Sequence, residues 1–588
     1  MSNQFPFRKK ILKRIGLFIP IFLISIFILF PVISVLITGF SDETGFTLTY
    51  FIDVITNGEY YKLLAFTLSQ ALLSTLISVI IGLPIGYLFG KYKFPGSKVF
   101  LTFFTVPFVL PSVLVGMGFL VVFGENGLFG SAILSIIIAH AFYNIPLVVH
   151  YVSTHFQTTN PEVFEAAKTL GSDPKQKFLR IFFPIFLEPI VTASLLTFNF
   201  CFLSFGIILM LGGGKFLTLE TEINSLFLES LQSQNIAAAL AIFQLLITIG
   251  YLILYFIFLR KRSRVTTGET EKTPKKKITV KSLIQNFRTS QEKTANKRTN
   301  IKSKIKKLFT TKEFYFSIVF MIGLVIELIP LISTLIYSFW NPYQEVFTLS
   351  NYNVIFDLSI NVDAYISIPR AILNTILFAL GGALVASLLA IITVATLGKS
   401  RYEKKSIPYE IISFFPLSVS SITLALGILK LFFGFNLFQQ QFWLFIIITH
   451  GLLGYPFVTR ALMNGLNTIS PEIIESARTL GSKPLFRFRK IYVPLLLPSF
   501  LTGFIFAFGM SLGEFATTNF FSYIEPSIST LTVVLFRLKR SRKFGQASAI
   551  GALLLMLSYL AFLLIEFIST QFMKRQQKGK KLEIYFER

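Results

Sequence analysis

Long apolar runs recur along the chain, each about the length of a bilayer crossing and set apart by shorter polar or basic stretches. A membrane-spanning helix needs roughly 20 mostly apolar residues, and about twelve runs of that kind can be laid out. In the first half they cover roughly 15–40, 63–90, 98–123, 131–156, 183–209 and 236–259. In the second half they cover roughly 314–340, 369–397, 407–433, 441–466, 493–521 and 545–572. The 68 Phe, with scattered Gly and Pro, suit lipid-facing helices whose backbone adjusts locally. The pattern predicts an all-α polytopic membrane protein, a helical bundle rather than a barrel.

The polar positions repeat as well as the apolar ones. His140–Pro184 aligns without gaps on His450–Pro494, with sixteen of forty-five positions identical. Pro146 matches Pro456, Pro161 matches Pro471, and Glu162 matches Glu472. Upstream, "VPFVLPSVLVGMG" parallels "FPLSVSSITLALG" after a slip of one residue. Six spans in each half give both halves the same insertion, so the expected architecture is two parallel repeats of six transmembrane helices about an axis along the membrane normal. The division that follows is 1–259 and 314–573 for the two halves, a linker over 260–313, and a tail over 574–588.

Composition adds the orientation. Of 588 residues 53% are hydrophobic and only 14% charged, against about 25% charged in a typical soluble domain. The formal charge of +26 is concentrated: 260–313 holds 18 Lys/Arg against 4 Asp/Glu, and "FRKKILKR" and "KRQQKGKK" flank the two ends. The positive-inside rule places all three in the cytoplasm, which requires an even number of spans in each half. A solvated tether near anionic headgroups explains the linker better than a nucleic-acid site. The first apolar run lacks a small-residue cleavage site and reads as a first span rather than a cleaved signal. A single cysteine, Cys201, rules out a disulfide framework or a CxxC metal site.

Between the fourth and fifth runs of each half lies a polar stretch, "EAAKTLGSDPKQKFLRIFFP" and "ESARTLGSKPLFRFRKIYVP". Asn160-Pro161-Glu162 and Ser470-Pro471-Glu472 each offer an N-cap, a proline at the first helical position and an acid in the first turn. The helix would run through "EVFEAAKTL" and "EIIESARTL" to a left-handed Gly171 or Gly481. Ser172 and Ser482 would then cap a second short helix leading back to the membrane at Pro184 and Pro494. A plain connecting loop has no reason to keep acid, small residue and glycine in the same order twice. Small side chains at Ala166, Ala167, Ser476 and Ala477 admit a close surface, and Glu165, Glu475, Lys168 and Arg478 can pair with its charges.

These residues resemble the EAA signature of permease subunits in binding-protein-dependent ABC importers: Glu-Ala-Ala, then Gly, then Ile-x-x-Pro. The match covers Glu165, Ala166, Ala167, Gly171, Ile181 and Pro184, and again Glu475, Ala477, Gly481, Ile491 and Pro494, with Ser476 as the one departure. Over its whole length the chain is similar to the fused permeases of ferric-iron and thiamine importers. "CFLSFGIILMLGGGKFLTLETEI" and "SLGEFATTNFFSYIEPSISTL" look like the thiamine-type members. The resemblance implies two coupling helices, each seated in a groove of one of two cytoplasmic ATPase subunits that carry ATP and Mg. It also implies an extracytoplasmic solute-binding protein, a multi-pass location in the plasma (inner) membrane with cytoplasmic termini, and alternating access driven by ATP. The implied cargo is thiamine or ferric iron; sulfate, polyamine and phosphonate importers share the signature. The chain itself is expected to carry no cofactor and to be no enzyme, since "LGGGKF" lacks the Gly and Ser/Thr of a P-loop.

Ionisable residues inside spans are functional candidates, and they are few: Glu188, Glu327, Lys430, Glu514 and Glu566, with His140 and His450. Glu514, His140 and His450 are the pathway candidates; an interhelical hydrogen bond or a packed imidazole is the plainer alternative for each. No metal-ligand spacing is visible. The loop after the fifth run carries Glu220, Glu222 and Glu229, and its mate carries Arg537, Lys539, Arg540, Arg542 and Lys543. Opposite charges on the two lobes of a binding protein would fit them; a solvated amphipathic helix is the alternative. A secondary carrier has no use for duplicated EAA helices, and a membrane scaffold would act through the basic linker.

Overall fold

The computed structural model describes residues 20–42, 45–93, 104, 110–123, 130–159, 169, 171, 173, 176, 178–230, 233–262, 276–277, 312–341, 345–356, 367–397, 415–432, 441–467, 469–563 and 567. Among these, ten helices are long and apolar enough to cross a membrane, and two shorter apolar helices stand at the place of the third run of each half. The first half contains α1 (Pro20–Gly39), α2 (Gly58–Lys91), α3 (Ser112–Phe123), α4 (Ala132–Thr158), α5 (Phe183–Phe202), α6 (Gly206–Leu211), α7 (Leu219–Glu229) and α8 (Ser233–Arg262). The second contains α9 (Lys312–Phe339), α10 (Ile368–Leu397), α11 (Ser421–Phe432), α12 (Phe442–Asn467), α13 (Pro471–Thr479), α14 (Val493–Gly513), α15 (Ala516–Ser522), α16 (Leu531–Arg540) and α17 (Phe544–Leu563). Most of the linker, the tail beyond Phe567, and Glu165, Ala166, Ala167 and Glu566 lie outside the described residues.

The halves share one packing scheme. In the first, Gly82, Gly86 and Gly90 form a strip along α2 into which Val148, Val152 and Phe156 of α4 settle, so closely that a Cβ at any of the three glycines would collide. In the second, Gly451 and Gly454 on α12 receive Val385, Ala386 and Ala507 in the same manner. Small residues at a helix contact are the usual means of close approach in lipid, where apolar burial alone does not drive association.

The first helix of each half crosses to the other. Pro31 on α1 lies against Gly427 of α11, and Pro330 on α9 lies against Gly118 of α3. Ser333 on α9 also donates to the Gly118 carbonyl at 2.8 Å. Each half is therefore completed by a helix from its partner, and one apolar core runs through both.

Three π-helical turns, Ser25–Leu29, Phe178–Phe182 and Phe488–Tyr492, each end two residues before a proline: Pro31, Pro184 and Pro494. Proline has no N–H to return to the preceding turn and its ring crowds the carbonyl four residues back, and the wider π turn absorbs that mismatch. The repeated Ile-x-x-Pro thus has a backbone reason. Ile181 and Ile491 sit inside the π turns through which the chain re-enters α5 and α14.

Two expected spans are broken. The runs at 183–209 and 493–521 do not continue as single helices: α5 stops at Phe202 and α14 at Gly513, and α6 and α15 follow as separate short helices. The apolar run alone could not signal these breaks, because α6 and α15 are as buried as the spans. Short hairpins at Ser41–Asp42/Gly45–Phe46 and Trp340–Asn341/Val346–Phe347 close the turns after α1 and α9.

Candidate functional site

The breaks after α5 and α14 meet where the halves face each other. Phe205 and Phe515, equivalent positions of the two repeats, stack at 5.6 Å between ring centroids and 21° between planes. Around them is a cavity of about 250 Å³ lined from both halves, with His140, Asn144, Asn199, His450, Ser511 and Glu514 as its chief polar groups. All three pathway candidates read from the sequence thus share one cavity.

The second half holds a connected polar cluster there. His450 Nδ1 meets Ser511 Oγ at 2.8 Å and Nε2 meets Glu514 Oε2 at 3.0 Å. Glu514 stands at the end of α14, and its carboxylate accepts from the backbone N–H of Thr517 at 2.9 Å and of Thr518 at 3.4 Å. The carboxylate is thereby oriented by the start of α15 on one side and by the imidazole on the other. At the matching positions of the first half stand Cys201 and Ser204 in place of Ser511 and Glu514. His140, 1% exposed, has neither ring nitrogen hydrogen-bonded among the described residues. Asn144 donates to the His140 carbonyl at 2.8 Å and to Cys201 Sγ at 3.4 Å, and Asn199 donates to the Leu417 carbonyl at 2.9 Å.

Leu417 also lines a second cavity, of about 400 Å³, bounded by His150, Tyr151, Glu188 and Arg460. The Arg460 guanidinium lies 4.9 Å from the Tyr151 ring centroid and donates to Tyr255 Oη at 3.3 Å, so aromatic groups of the first half hold this cation of the second. The two cavities follow one another along the interface between the halves, with Leu417 at their junction. Glu327 lines neither: it is fully buried within α9, with both carboxyl oxygens unpartnered among the described residues.

Glu220 stands elsewhere than its charge suggests. It is 1% exposed, not on an outer loop, and this corrects its assignment to a binding-protein surface. Its carboxylate accepts from Ser420 Oγ at 2.7 Å, from the Ile422 backbone N–H at 3.4 Å, and from Gln244 Nε2 at 2.9 Å. Thr248 adds a bond to the Ser418 carbonyl at 2.6 Å, so the start of α11 is tied to the first half by three side chains, Asn199, Thr248 and Glu220. The sequence does hold a signal for this: Glu220, Ile223 and Phe227 are spaced i, i+3, i+7, which puts all three on one helix face, and that face is buried. Thr532 holds the matching position on α16, so the tie is one-sided. The start of both short helices is nonetheless built alike: Leu219 N–H donates to Thr67 and Leu531 N–H to Thr375.

Removing the carboxylate with Glu220→Leu leaves Ser420, Gln244 and the Ile422 amide buried without an acceptor. The expected loss is about 3 kcal/mol, since buried donors left unsatisfied cost roughly 1–3 kcal/mol apiece and do not sum fully. It is read as a lowered midpoint of thermal unfolding in the purified protein. Glu220→Gln, which keeps an acceptor for Ser420, loses less than half of that; equal midpoints for both variants and wild type contradict the tie.

The other charged candidates divide. Arg537 is half-buried and donates to the Ser522 carbonyl at 3.0 Å and hydroxyl at 3.1 Å, within its own half. Glu222 is half-buried, while Glu229, Arg540 and Arg542 are exposed. Arg542 has φ 60, a left-handed conformation that ends the turn after α16.

The repeated polar stretch is described fully only in its second copy. Within α13 no residue is buried, and Glu475 and Ser476 are exposed while Ala477 is half-buried. Its end follows the glycine expectation: Gly481 has φ 74, its N–H bonds to Arg478 O at 2.9 Å, and the Ser482 N–H bonds to Ala477 O at 3.0 Å. That double bond is the Schellman closure. Gly171 has φ 71 in the first copy. One expectation fails: Ser482 does not cap the next short helix, Pro484–Arg487, whose N-cap is Lys483. The Ser482 hydroxyl instead closes back on the Ala477 carbonyl and accepts from Arg487. Ile181, Pro184, Ile491 and Pro494 are all half-buried where the chain re-enters the bundle.

A duplicated helical bundle with broken helices around cavities at its midline defines a polytopic membrane transport protein. Residues 82–264 and 387–577 each match one family, described as the binding-protein-dependent transport system inner membrane component, and the chain belongs to that family, the permeases of ABC importers, with two copies of its domain. Among curated relatives it is similar to the sulfate transport system permease protein CysT of Salmonella typhimurium, 28% identical over 217 residues, 35% of this chain and 78% of that protein. It is also similar to the thiamine transport system permease protein ThiP of Brucella abortus, 30% identical over 189 residues, and of Haemophilus influenzae, 32% over 183 residues. These matches cover 29% of this chain and about a third, 35% and 34%, of those two proteins.

Proposed function

We propose that this chain forms the membrane pathway of an ATP-driven importer for thiamine, with α13 and its first-half counterpart over 160–171 each seated on one copy of a separate cytoplasmic ATPase. The observation that carries the coupling role is α13 itself. It buries no residue, exposes Ile473 and Leu480 on one face and Glu475 and Arg478 on the other, and ends in a fixed glycine closure. A rigid amphipathic helix held clear of its own bundle is suited to a protein partner. ATP would draw the two helices together and reorient the halves about the cavities between them. On the opposite end of the bundle, Glu229, Arg540 and Arg542 remain candidates for meeting a solute-binding protein.

Two features favour thiamine. The matched 189 residues make up 35% of the Brucella thiamine permease, whereas 217 residues make up 78% of the Salmonella sulfate permease. The thiamine permease is thus about twice as long, as a chain of two fused halves must be. The polar groups of the midline cavity also centre on a carboxylate, Glu514, which repels an oxyanion and attracts a cation. Ferric iron prefers several hard oxygen ligands, and no group of three or more His, Cys, Asp or Glu is placed to hold a metal among the described residues. Sulfate is the second reading, favoured by Arg460 in the larger cavity.

The test is purification from native membranes in mild detergent, followed by reconstitution into liposomes. The expected result is an ATPase recovered at two copies per chain and ATP-dependent uptake of labelled thiamine in the presence of its binding protein. Uptake of sulfate instead would select the second reading, and failure to recover any ATPase even after cross-linking would end the importer assignment for this chain's partners.

A further inference from the structure

The midline cavity contains more unmet polar capacity than a passage needs. His140 offers two ring nitrogens with no partner among the described residues, in a side chain 1% exposed. Asn144 and Asn199 each anchor their NH₂ on a backbone carbonyl, at 2.8 and 2.9 Å, which fixes the amide orientation. Their Oδ1 atoms are consequently committed as acceptors, and both lack a donor among the described residues. Across the cavity the Glu514 carboxylate is held in place by His450 and two backbone N–H groups. Buried acceptors without donors are costly; others stand elsewhere in the bundle, those of Glu327 among them, but His140, Asn144 and Asn199 present theirs on the lining of one cavity. The stacked pair Phe205–Phe515 adds apolar ring surface to the same wall.

We propose that this cavity is a transit site that binds the solute itself between the two halves, and that it takes a small organic cation bearing N–H donors. The amide oxygens and one His140 nitrogen accept from those donors, Glu514 balances the positive charge, and the Phe pair offers ring faces to a cationic heterocycle. The volume of about 250 Å³ lies just under the roughly 300–1,000 Å³ common for drug-sized ligands, which leaves room for one such molecule. The composite character matters: the amide and imidazole acceptors come from the first half and the carboxylate from the second, so rotation of the halves takes the site apart. Occupancy would be favourable in one conformation and lost in the other, which is what transfer past Leu417 into the larger cavity requires. This inference rests on the importer reading and names the chemistry of its cargo.

The test compares wild type, His140→Leu and His140→Gln, each as the assembled permease–ATPase complex reconstituted with its binding protein, with labelled thiamine as probe. His140→Leu removes an unsatisfied buried imidazole, so its melting temperature is expected to equal or exceed that of wild type, while the thiamine concentration for half-maximal uptake rises at least tenfold. His140→Gln keeps an acceptor in the cavity and recovers part of that loss. A merely structural histidine gives the opposite pattern, with a lowered melting temperature and unchanged half-saturation. Wild-type half-saturation in a stable His140→Leu complex overturns the site while leaving thiamine import standing. Where His140→Leu fails to assemble, Glu514→Gln decides: it keeps the shape and removes the charge, and the same tenfold rise is expected. Wild-type half-saturation there overturns the site equally. Uptake of sulfate or ferric iron by the wild type, with none of thiamine, overturns the ligand class together with the substrate reading.

Discussion

Changing Glu475 to lysine together with Glu165 leaves the protein inserted and folded but abolishes solute-stimulated ATP hydrolysis. The first part of this expectation comes from exposure. Glu475 is exposed on a helix with no buried residue, so reversing its charge disturbs no packing inside the bundle. The second comes from position. Glu475 lies on the polar face, opposite the exposed apolar residues Ile473 and Leu480, of a helix whose end is pinned by Gly481, so a groove that encloses this helix meets the carboxylate as well as the apolar stripe. A lysine there puts like charge where an opposite one was matched, and a desolvated mismatch costs several kcal/mol. Each roughly 1.4 kcal/mol is a factor of ten in association, so stimulated hydrolysis should fall at least tenfold in reconstituted liposomes. Glu165 lies outside the described residues and enters by the repeat. Full stimulation in the double variant, with normal membrane yield, removes the docking role from both helices.

Gly427→Ala is expected to destabilise the protein although alanine is the better helix former. In an open helix the exchange would gain roughly 1 kcal/mol. Here the added Cβ falls on the backbone of Pro31, and at the matching position a Cβ on Gly118 falls on the backbone of Pro330. Neither neighbour is the end of a flexible side chain, so the helices themselves must move apart, and overpacking of that kind costs about 1–3 kcal/mol. The sign is therefore reversed. Thermal unfolding of Gly427→Ala and Gly118→Ala should show lowered midpoints, while Gly250→Ala, where nothing stands within 4 Å, should not. A raised midpoint in either of the first two would show that α1 and α9 do not pack across the halves as described.

The bundle, the duplication and the glycine-terminated helix between spans are legible in the sequence because each rests on a local signal: apolar length, repeated polar order, and glycine after a helix. What escapes it depends on tertiary context. The break after Phe202 is invisible to hydropathy, since the short helix that follows, GIILML, is as apolar as a span; the helix after Gly513, ATTNFFS, is more polar, but it is buried throughout, and that burial depends on tertiary packing. Glu220 reads as a surface charge because charge usually means water; its burial depends on Ser420 and Ile422, two hundred residues away in sequence. His140 and His450 are paired by the repeat. Their difference, one bonded to Ser511 and Glu514 and the other unbonded among the described residues, follows from Cys201 and Ser204 and emerges only in three dimensions. Ser482 loses its capping role to Lys483 because its hydroxyl serves the preceding turn instead.

The exchange of first helices between the halves also sets an order of events on the ribosome. The groove on α11 that receives α1 is translated nearly 400 residues after α1 has left the tunnel, a wait of roughly 20–80 s at about 5–20 residues/s. During that interval α1 must stand in lipid without its partner. Its composition allows this: it is the most apolar of the ten long helices, and only 28% of its spanning window is buried even in the finished protein. Likewise α3, already inserted, keeps Gly118 uncovered until Pro330 emerges on α9. A nascent chain stopped at the linker is thus an unfinished bundle: α1 has α8 of its own half, where Gly39 packs on Ala238, Ala239 and Ile242, but not α11, and α3 still lacks α9.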